Sequence, residues 1–278
     1  MNNNKILLLL ILCFGFSNIA NAKMVTTYSV NSSTMKTIEE WADKDTVMFV
    51  NLNDVVVMPK SNMFSYNSNP YRMFIKNMIS KGKRMPRYNK IVSKWYEQRK
   101  VKLVEGGWKG FIKKLQAKGV TVYGICSMPI HLMNIEPKIY KELQDLGISF
   151  ASKINGKDEL EIEKKERWFS SFYKGIIFPG PYGQSHTLME FLKITNISPK
   201  KMLFVSNLKP DLQRINKSLR VFDMEFYNII YLGAHETGNR PNKQIVKLQQ
   251  KHLITQGVWL EDQAATAMLK SLKTNDNK

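Results

Sequence analysis

The sequence predicts an α/β fold, in which a mainly parallel sheet is flanked by helices. Residues 46–50 and 201–205 are rich in β-branched and large apolar types and run into polar residues, as is typical of buried parallel strands. Between them, a helical pattern ends at Gly119 and leads into a third apolar segment, residues 120–125. Ligands of such folds bind at the carboxyl ends of the strands, so the residues that follow these segments are the first candidates for a site.

Residues 1–22 have the pattern of a secretory signal peptide. Lys5 supplies a positive charge, residues 6–16 form an apolar run, and residues 20–22, Ala-Asn-Ala, match a small-x-small cleavage site. The apolar run is too short to cross a bilayer, for which about 20 residues are needed. We therefore expect a mature chain that begins at Lys23 and is exported to the periplasm or secreted.

Composition limits what the mature part, residues 23–278, can be. Cys126 is its only cysteine, so no internal disulfide can form, and a disulfide to a partner could involve only this thiol. Stability must therefore come from an apolar core. The length suits one α/β domain with an inserted cap. The sequence contains no Ser-His-Asp signature and no phosphate-binding glycine loop. No metal-ligand spacing is found among the histidines, which are His131, His186, His235 and His252.

The first apolar strand ends in an unusual run of amides. Asn51 and Asn53 stand two residues apart and are followed by Asp54 and a valine. The run resembles the first motif of the haloacid dehalogenase (HAD) superfamily of phosphatases and phosphotransferases, Asp-x-Asp-x-Thr or Val after an apolar strand. The resemblance implies a nucleophile at the first position and a general acid and base at the second, and both are Asn here. An amide has the shape of a carboxylate, but it cannot readily attack phosphorus and is a poor Mg²⁺ ligand.

A basic segment, residues 60–118, follows this strand. It contains sixteen Lys and Arg against two Glu, a net of +14 out of the formal net charge of +19, which leaves +5 for the rest of the chain. Apolar residues at helical spacing predict amphipathic helices, and the HAD resemblance implies a helical cap inserted between the first and second motif strands, at about residues 60–102. The helical spacing is seen at Tyr71, Phe74, Ile75, Met78, Ile79, Ile91, Trp95 and Tyr96.

The basic cap gives a candidate binding surface for anions, either nucleic acid or acidic lipid. The alternative is that its charges form only a solvated face. The residues that we expect to bind are Lys81, Lys83, Arg84 and Arg87.

The second motif position follows the strand at residues 120–125. The preceding helix has an apolar stripe, and the order helix, glycine, strand and hydroxyl resembles the second HAD motif, in which Ser or Thr holds the phosphoryl oxygens. The closest alignment puts Cys126 there, and a shift of one residue puts Ser127 there. Cys126 could instead be a small buried apolar residue. The stripe is formed by Trp108, Phe111, Ile112 and Leu115.

The third and fourth motif positions also lack charge. In the HAD family a Lys stands about four residues before the first Leu of a helix, and the position that corresponds, ahead of Leu188, is Gln184. The fourth motif holds Mg²⁺ through carboxylates that follow an apolar strand. Here Ser206-Asn207 stands where the first acid belongs, whereas Asp211 is retained.

The remaining elements follow from local patterns. We expect a helix and then a short strand over residues 135–150, a solvated connection over 157–167, a strand or hairpin over 173–178, a loop over 179–183, a strand over 226–232 and a helix over 245–250.

The resemblance covers about residues 46–269 and points to an uncharacterised bacterial branch of secreted HAD-like proteins. Because Asn51, Gln184 and Asn207 replace all three charged groups, we expect a pseudoenzyme that has lost phosphatase activity and binds a partner, either a protein or an anionic surface, without a cofactor. No metal is expected at Asn51, Asn53 or Asn207. Two alternatives stay open: an Mg²⁺-dependent, acid-phosphatase-like hydrolase with residual or altered activity, and a binder of anionic surfaces. The hydrolase would use Asp54, Asp211 and Ser127 or Cys126.

Overall fold

A computed structural model describes residues 23–66, 71–82, 85–127, 135–166, 168–222 and 224–275. The strands of these residues are β1 (Lys23–Thr27), β2 (Thr46–Asn51), β3 (Val57–Pro59), β4 (Val101–Leu103), β5 (Thr121–Ile125), β6 (Glu159–Lys165), β7 (Trp168–Tyr173), β8 (Ile176–Phe178), β9 (Lys201–Ser206) and β10 (Glu225–Tyr231). The helices are α1 (Ser33–Trp41), α2 (Phe74–Gly82), α3 (Pro86–Gln98), α4 (Gly107–Ala117), α5 (Glu136–Asp145), α6 (Gln184–Thr195), α7 (Lys209–Leu219), α8 (Lys243–Gln256) and α9 (Asp262–Asn275).

The central sheet has eight strands in the order β1-β10-β9-β2-β5-β8-β7-β6. All pairings from β1 to β8 are parallel, and those of β7 with β8 and with β6 are antiparallel. The chain is therefore an α/β protein with a mostly parallel sheet flanked by helices, as predicted. Strand β2 lies in the middle, and all six of its residues are buried.

Two apolar clusters cover the two faces of the sheet. Successive side chains of a strand point to opposite faces, so Phe49 belongs to one cluster and Val50 to the other. The Phe49 side is closed by α6 and α7, through residues such as Phe191 and Leu212. The Val50 side contains Trp108 of α4, whose predicted apolar stripe is buried. The sheet is thus covered on both faces, and its carboxyl edge is where a ligand could approach.

The segment between β3 and β4 carries α2 and α3. The two short strands pair antiparallel and bracket the segment, and its apolar side chains, including Phe74 and Trp95, join the same apolar cluster as Val50. The C-terminal helices pack against this segment, because Trp259 lies 6.5 Å from Trp95 between ring centroids. In addition, Ser61 Oγ donates a 2.5 Å hydrogen bond to Asp262.

Several local predictions are confirmed. Most of the expected strands, the loop at 179–183 and the helix at 245–250 are present, with bounds that differ by a few residues. The predicted hairpin is formed by β7 and β8. Its turn residues, Lys174 and Gly175, both have positive φ, which a tight hairpin turn requires. Gly119 also has positive φ and ends the α4 region as expected.

Three predictions were incomplete or wrong. The charged stretch 157–167 is not a simple connection, because Glu159–Lys165 forms β6 and pairs with β7. The strand lies at the edge of the sheet and has few buried residues, so its sequence is mostly charged and lacks the apolar pattern that predicts a strand. Residues 148–150 do not form the short strand that we expected after α5. Elements β1 and α1 were not predicted, since their patterns are short and only partly apolar.

The signal-peptide prediction concerns residues 1–22, which lie outside the described part of the chain. Within the described part, no helix is long and apolar enough to cross a membrane.

Candidate functional site

Three side chains at strand ends and one at the start of a helix meet in one hydrogen-bonded group, which we call the amide cluster. Its members are Asn51, Ser127, Gln184 and Ser206. Asn51, at the end of β2, donates from Nδ2 to Ser206 Oγ over 3.3 Å. Its Oδ1 accepts a hydrogen bond of 3.2 Å from Gln184 Nε2. Gln184 Nε2 also donates to Ser127 Oγ, at 2.6 Å. The cluster thus connects residues that are up to 155 positions apart in the sequence.

Topology explains why these residues meet. Strands β5 and β9 flank β2 on its two sides, so Ser127 and Ser206 reach the same edge as Asn51. Gln184 is the first residue of α6, and it follows Gly183, which has a φ of 81° that favours glycine. The loop before α6 therefore turns the chain so that the helix begins next to the strand ends.

The amide cluster is electrically neutral. Asn51 is only 5% exposed and Ser206 is fully buried, so a carboxylate at Asn51 would be costly to ionise without a cation nearby. Instead, Asn51 uses both ends of its amide, as donor and as acceptor. Gln184 Oε1, in contrast, is buried and has no hydrogen-bond partner among the described residues, and none of the four side chains of the cluster carries a charge.

Asn53 and Asp54 lie in the loop after β2, next to the cluster. Asp54 has a φ of 60°, the left-handed conformation that Asp and Asn tolerate best, and its N–H donates to the carbonyl of Val57. Its carboxylate forms an ion pair of 3.4 Å with Arg72. Burial raises the pKa of Asp54 above its ordinary value, although the positive charges of Arg72 and Arg99 act to lower it.

The structure separates the roles of Cys126 and Ser127. Cys126 is buried, and burial is the main cause that raises the pKa of its thiol to about 12, although Arg99 and a hydrogen bond with Asn53 lower it. A thiol with such a pKa is a poor nucleophile at neutral pH. Ser127, in contrast, is exposed and belongs to the amide cluster.

Asn207 and Asp211, which the resemblance assigns to the fourth motif, lie in different surroundings. Asn207 faces residues 60–100, the segment between β3 and β4, which we call the inserted segment. Its Nδ2 donates a hydrogen bond of 3.4 Å to the hydroxyl of Tyr66. Asp211 lies in the first turn of α7 and accepts a hydrogen bond of 2.6 Å from Arg214. The structure gives Asp211 no contact with the amide cluster. Among the described residues, no group of three or more His, Cys, Asp or Glu is arranged to hold a metal ion.

A pocket of about 380 Å³ opens beside the amide cluster, between the β2 loop and helices α2 and α3. It combines aromatic side chains with several charged ones. Among its lining residues are Asn53, Asp54, Arg72, Trp95, Arg99 and Ser127. We call it the Arg72 pocket.

Two arginines shape the Arg72 pocket. Arg72 lies over the ring of Tyr66, with its guanidinium carbon 3.3 Å from the ring centroid. Arg99 is only 3% exposed and pairs with Glu142 over 3.3 Å, while Lys138 also contacts Glu142 at 3.0 Å. Among the described residues, Nε of Arg99 has no hydrogen-bond partner, so one of its donors remains available.

Sequence reasoning missed both arginines. Each was counted as part of the general basic charge of residues 60–118. A signal was present for Arg99, which caps the end of α3 and follows the buried Trp95 by four positions, so that a buried and unpaired cation there would be costly. No comparable signal identified Tyr66, whose ring packs 3.7 Å from that of His235, between centroids. Burial lowers the pKa of His235, and the charge of Arg72 lowers it further.

The predicted anion-binding residues lie elsewhere. Lys81 and Arg87 flank Tyr88, with cation-to-centroid distances of 5.5 and 5.0 Å, and neither residue lines the Arg72 pocket. Lys83 and Arg84 lie outside the described residues.

The chain matches known sequences over nearly its whole length. Residues 27–266 match the model of a family described as a protein of unknown function, DUF2608. The uncharacterised protein RP296 of Rickettsia prowazekii (strain Madrid E) is 36% identical over 269 residues, which cover 96% of this chain and 98% of that protein. No solved structure matches the chain.

Proposed function

This chain belongs to the DUF2608 family, and we propose that it is an exported, HAD-like protein that has lost phosphatase activity and works as a binding protein. The observation that carries the proposal is the amide cluster. The HAD resemblance assigns Asn51, Ser127 and Gln184 to three separate motifs, and these residues hydrogen-bond to one another at the carboxyl edge of the sheet. Such convergence supports a HAD-like arrangement, and the neutral side chains support the loss of catalysis.

The chemistry explains the loss. Phosphoryl transfer on this kind of scaffold needs a carboxylate nucleophile, and Asn51 offers an amide whose oxygen already accepts a hydrogen bond from Gln184. The transfer also needs a cation on the phosphate, and Gln184 supplies only a neutral amide. Asp54 follows β2 in the loop beside the site, but its carboxylate pairs with Arg72. Loss of several groups that act together removes most of the rate enhancement.

We assign ligand binding to the Arg72 pocket. Three cations line it, namely Arg72, Lys76 and Arg99. Arg72 pairs with Asp54 and Arg99 pairs with Glu142, so the remaining positive charge, that of Lys76, favours a negatively charged ligand. Trp95 lines the pocket as well and offers apolar contact area. A small organic anion with an apolar or aromatic body fits this lining. Export to the periplasm or beyond is supported by the signal-peptide pattern of residues 1–22.

The first test is hydrolysis of 4-nitrophenyl phosphate in the presence of Mg²⁺. We expect no turnover above the rate without protein, because the nucleophile, the general acid and the phosphate-binding cation are all replaced. The Asp54→Ala variant should behave in the same way. Turnover by the natural protein that disappears in Asp54→Ala would contradict the proposal and support the alternative of a hydrolase with altered activity.

The second part of the test is binding, measured by calorimetry with phenyl phosphate, a probe with an aromatic body and an anionic group. Arg72→Gln should weaken binding about tenfold or more, since a hydrogen bond to an ionised group is worth about 1.5–3 kcal/mol. Arg87→Gln is the matched control, because it removes the same charge outside the pocket. Equal affinities of the two variants, or no binding by the natural protein, would overturn the assignment of the pocket, whatever the outcome of the hydrolysis assay.

A further inference from the structure

A second concave surface lies between α3 and the end of α8. It encloses about 560 Å³ and shares no lining residue with the Arg72 pocket. Basic and apolar side chains alternate around it. The basic residues are Arg87, Lys90 and Lys94, and the apolar ones are Ile91, Leu253 and Ile254. We call this surface the basic groove.

The helices around the basic groove are almost free of acidic residues. The two helices that line it, α3 and α8, carry six Lys and Arg against one acid, Glu97, a net of +5. Glu97 forms an ion pair of 2.7 Å with Lys94 and so offsets only one of these charges. Lys251 of α8 is exposed and lies one turn before Ile254, which places a further positive charge beside the groove. The surface is therefore suited to a partner with many negative charges.

Apolar side chains are exposed at the same surface. Ile254, which lines the groove, is 44% exposed, and Val258, which follows the lining residue Gly257, is 42% exposed. Met85, just before α3, is 49% exposed. Exposed aliphatic side chains next to lysines are what a peripheral protein presents to a membrane, because headgroups attract the cations and the interface accepts the apolar groups.

The same surface fits nucleic acid less well. Single-stranded nucleic acids are bound by aromatic rings on which bases stack, and Tyr88 is the one aromatic side chain among the described residues that line the groove. Its ring is already approached by the cations of Lys81 and Arg87. Aliphatic side chains such as Ile254 offer no face for stacking. The positive charge suits either partner, and the exposed aliphatic groups therefore decide in favour of a lipid surface.

We propose that the basic groove docks the protein onto an acidic lipid surface. Arg87, Lys90 and Lys94 contact the headgroups, and Ile254 and Val258 enter the interfacial region. The docking uses no residue of the Arg72 pocket or of the amide cluster, so it is independent of the ligand and of the loss of catalysis proposed above.

The test is co-sedimentation with vesicles of phosphatidylglycerol and phosphatidylcholine, compared with vesicles of phosphatidylcholine alone. The natural protein should bind the acidic vesicles and lose affinity as salt rises. Each basic side chain near an acidic bilayer contributes about a fivefold gain in affinity, so the triple variant Arg87→Gln, Lys90→Gln, Lys94→Gln should bind about a hundredfold more weakly.

A matched control removes three charges from α4, which belongs to the same basic segment. The variant Lys109→Gln, Lys113→Gln, Lys114→Gln changes three exposed lysines and should keep nearly all of the affinity. A further variant, Ile254→Ser with Val258→Ser, should bind acidic vesicles more weakly although its net charge is unchanged. Circular dichroism checks that each variant is folded, and all of the replaced side chains are exposed or partly exposed.

Three results would overturn the proposal. The first is equal loss of affinity in the two triple variants, which would show that only overall charge matters. The second is absence of binding to acidic vesicles at low salt. The third is tighter binding to a single-stranded oligonucleotide than to acidic vesicles, with the α3 variant defective, which would identify the groove as a nucleic-acid site.

Discussion

Asn51 fits its buried surroundings as a neutral side chain that uses both ends of its amide. It is buried at the end of the central strand, and its amide both donates, to Ser206, and accepts, from Gln184. A carboxylate there could only accept, so the geometry with Ser206 would have to change. The pair of amides Asn51 and Gln184 also avoids placing charge where Arg72 already pairs with Asp54.

We therefore expect the double change Asn51→Asp with Asn53→Asp to destabilise the protein in the presence of a chelator. The new carboxylates would be close to Asp54 and to each other, and one of them would be buried, at a cost of about 1–3 kcal/mol. The measurement is the melting temperature in chelator. The control, Asn31→Asp with Asn77→Asp, makes the same change at two exposed positions. A double variant that melts at or above the temperature of the natural protein would contradict the idea.

The residue scale also shows what sequence can and cannot reveal about a site. Asn51 and Ser127 could be placed together in advance, because the carboxyl ends of neighbouring parallel strands share one edge, whereas Gln184 was assigned to the same site only through the HAD resemblance. The arginines could not be assigned. Whether Arg72 pairs with Asp54, or Arg99 with Glu142, depends on how segments from distant parts of the chain pack. The local sequence pattern does not predict that packing.

At the scale of elements, the inserted segment is locked to the C-terminal helices by one carboxylate. Asp262, at the start of α9, accepts hydrogen bonds from Ser61 Oγ at 2.5 Å, from the backbone N–H of Asn62 at 2.9 Å and from Gln249 Nε2 at 2.9 Å. Ser61 is buried, so loss of the carboxylate removes the acceptor of its hydroxyl and of the Asn62 N–H, whereas Gln249 keeps its hydrogen bond to the carbonyl of Leu260. The network ties the segment before α2 to both α8 and α9.

Replacement of Asp262 by alanine should therefore lower the free energy of unfolding by about 2–3 kcal/mol. Urea titration measures the effect. Asp145→Ala provides the comparison, because Asp145 pairs only with Lys141 at an exposed site and its loss should cost less than about 0.5 kcal/mol. Similar costs for the two variants would mean that the Asp262 network does not hold the helices in place.

Some strands are predicted well from the sequence and others are not. Strand β2 is buried on both faces and reads as a continuous apolar run, so it was predicted correctly. Strand β1 has five residues with only Thr27 buried, and such a short pattern is shared by many loops. Its pairing with β10 supplies the hydrogen bonds that its sequence does not advertise.

For the whole molecule, the important feature is that the inserted segment has no separate core. Phe74 and Trp95 belong to the same apolar cluster as Val50 and Val205 of the central strands. A segment that shares its core with the sheet loses that core when the sheet unfolds. The insertion, the sheet and the C-terminal helices thus depend on each other.

We expect unfolding in urea to be a single cooperative transition. Tryptophan fluorescence reports on both regions, since Trp95 and Trp259 lie in the inserted segment and the C-terminal region, and Trp108 packs beneath the sheet. Its midpoint should coincide with that of far-ultraviolet circular dichroism, as two-state behaviour requires. Two separate transitions would show that the insertion unfolds on its own.

Strand β6 has a further consequence for how copies of this protein behave at high concentration. It ends the sheet, so no strand of the described part of the chain pairs with its outer backbone groups, and such an edge can recruit another chain into an aggregate. The edge bears three glutamates and two lysines over seven residues, and its register shifts between Glu161 and Glu163. Charge and an irregular ladder both discourage edge-to-edge pairing. The charged side chains of β6, which kept the strand from being predicted, thus also oppose amyloid-like growth.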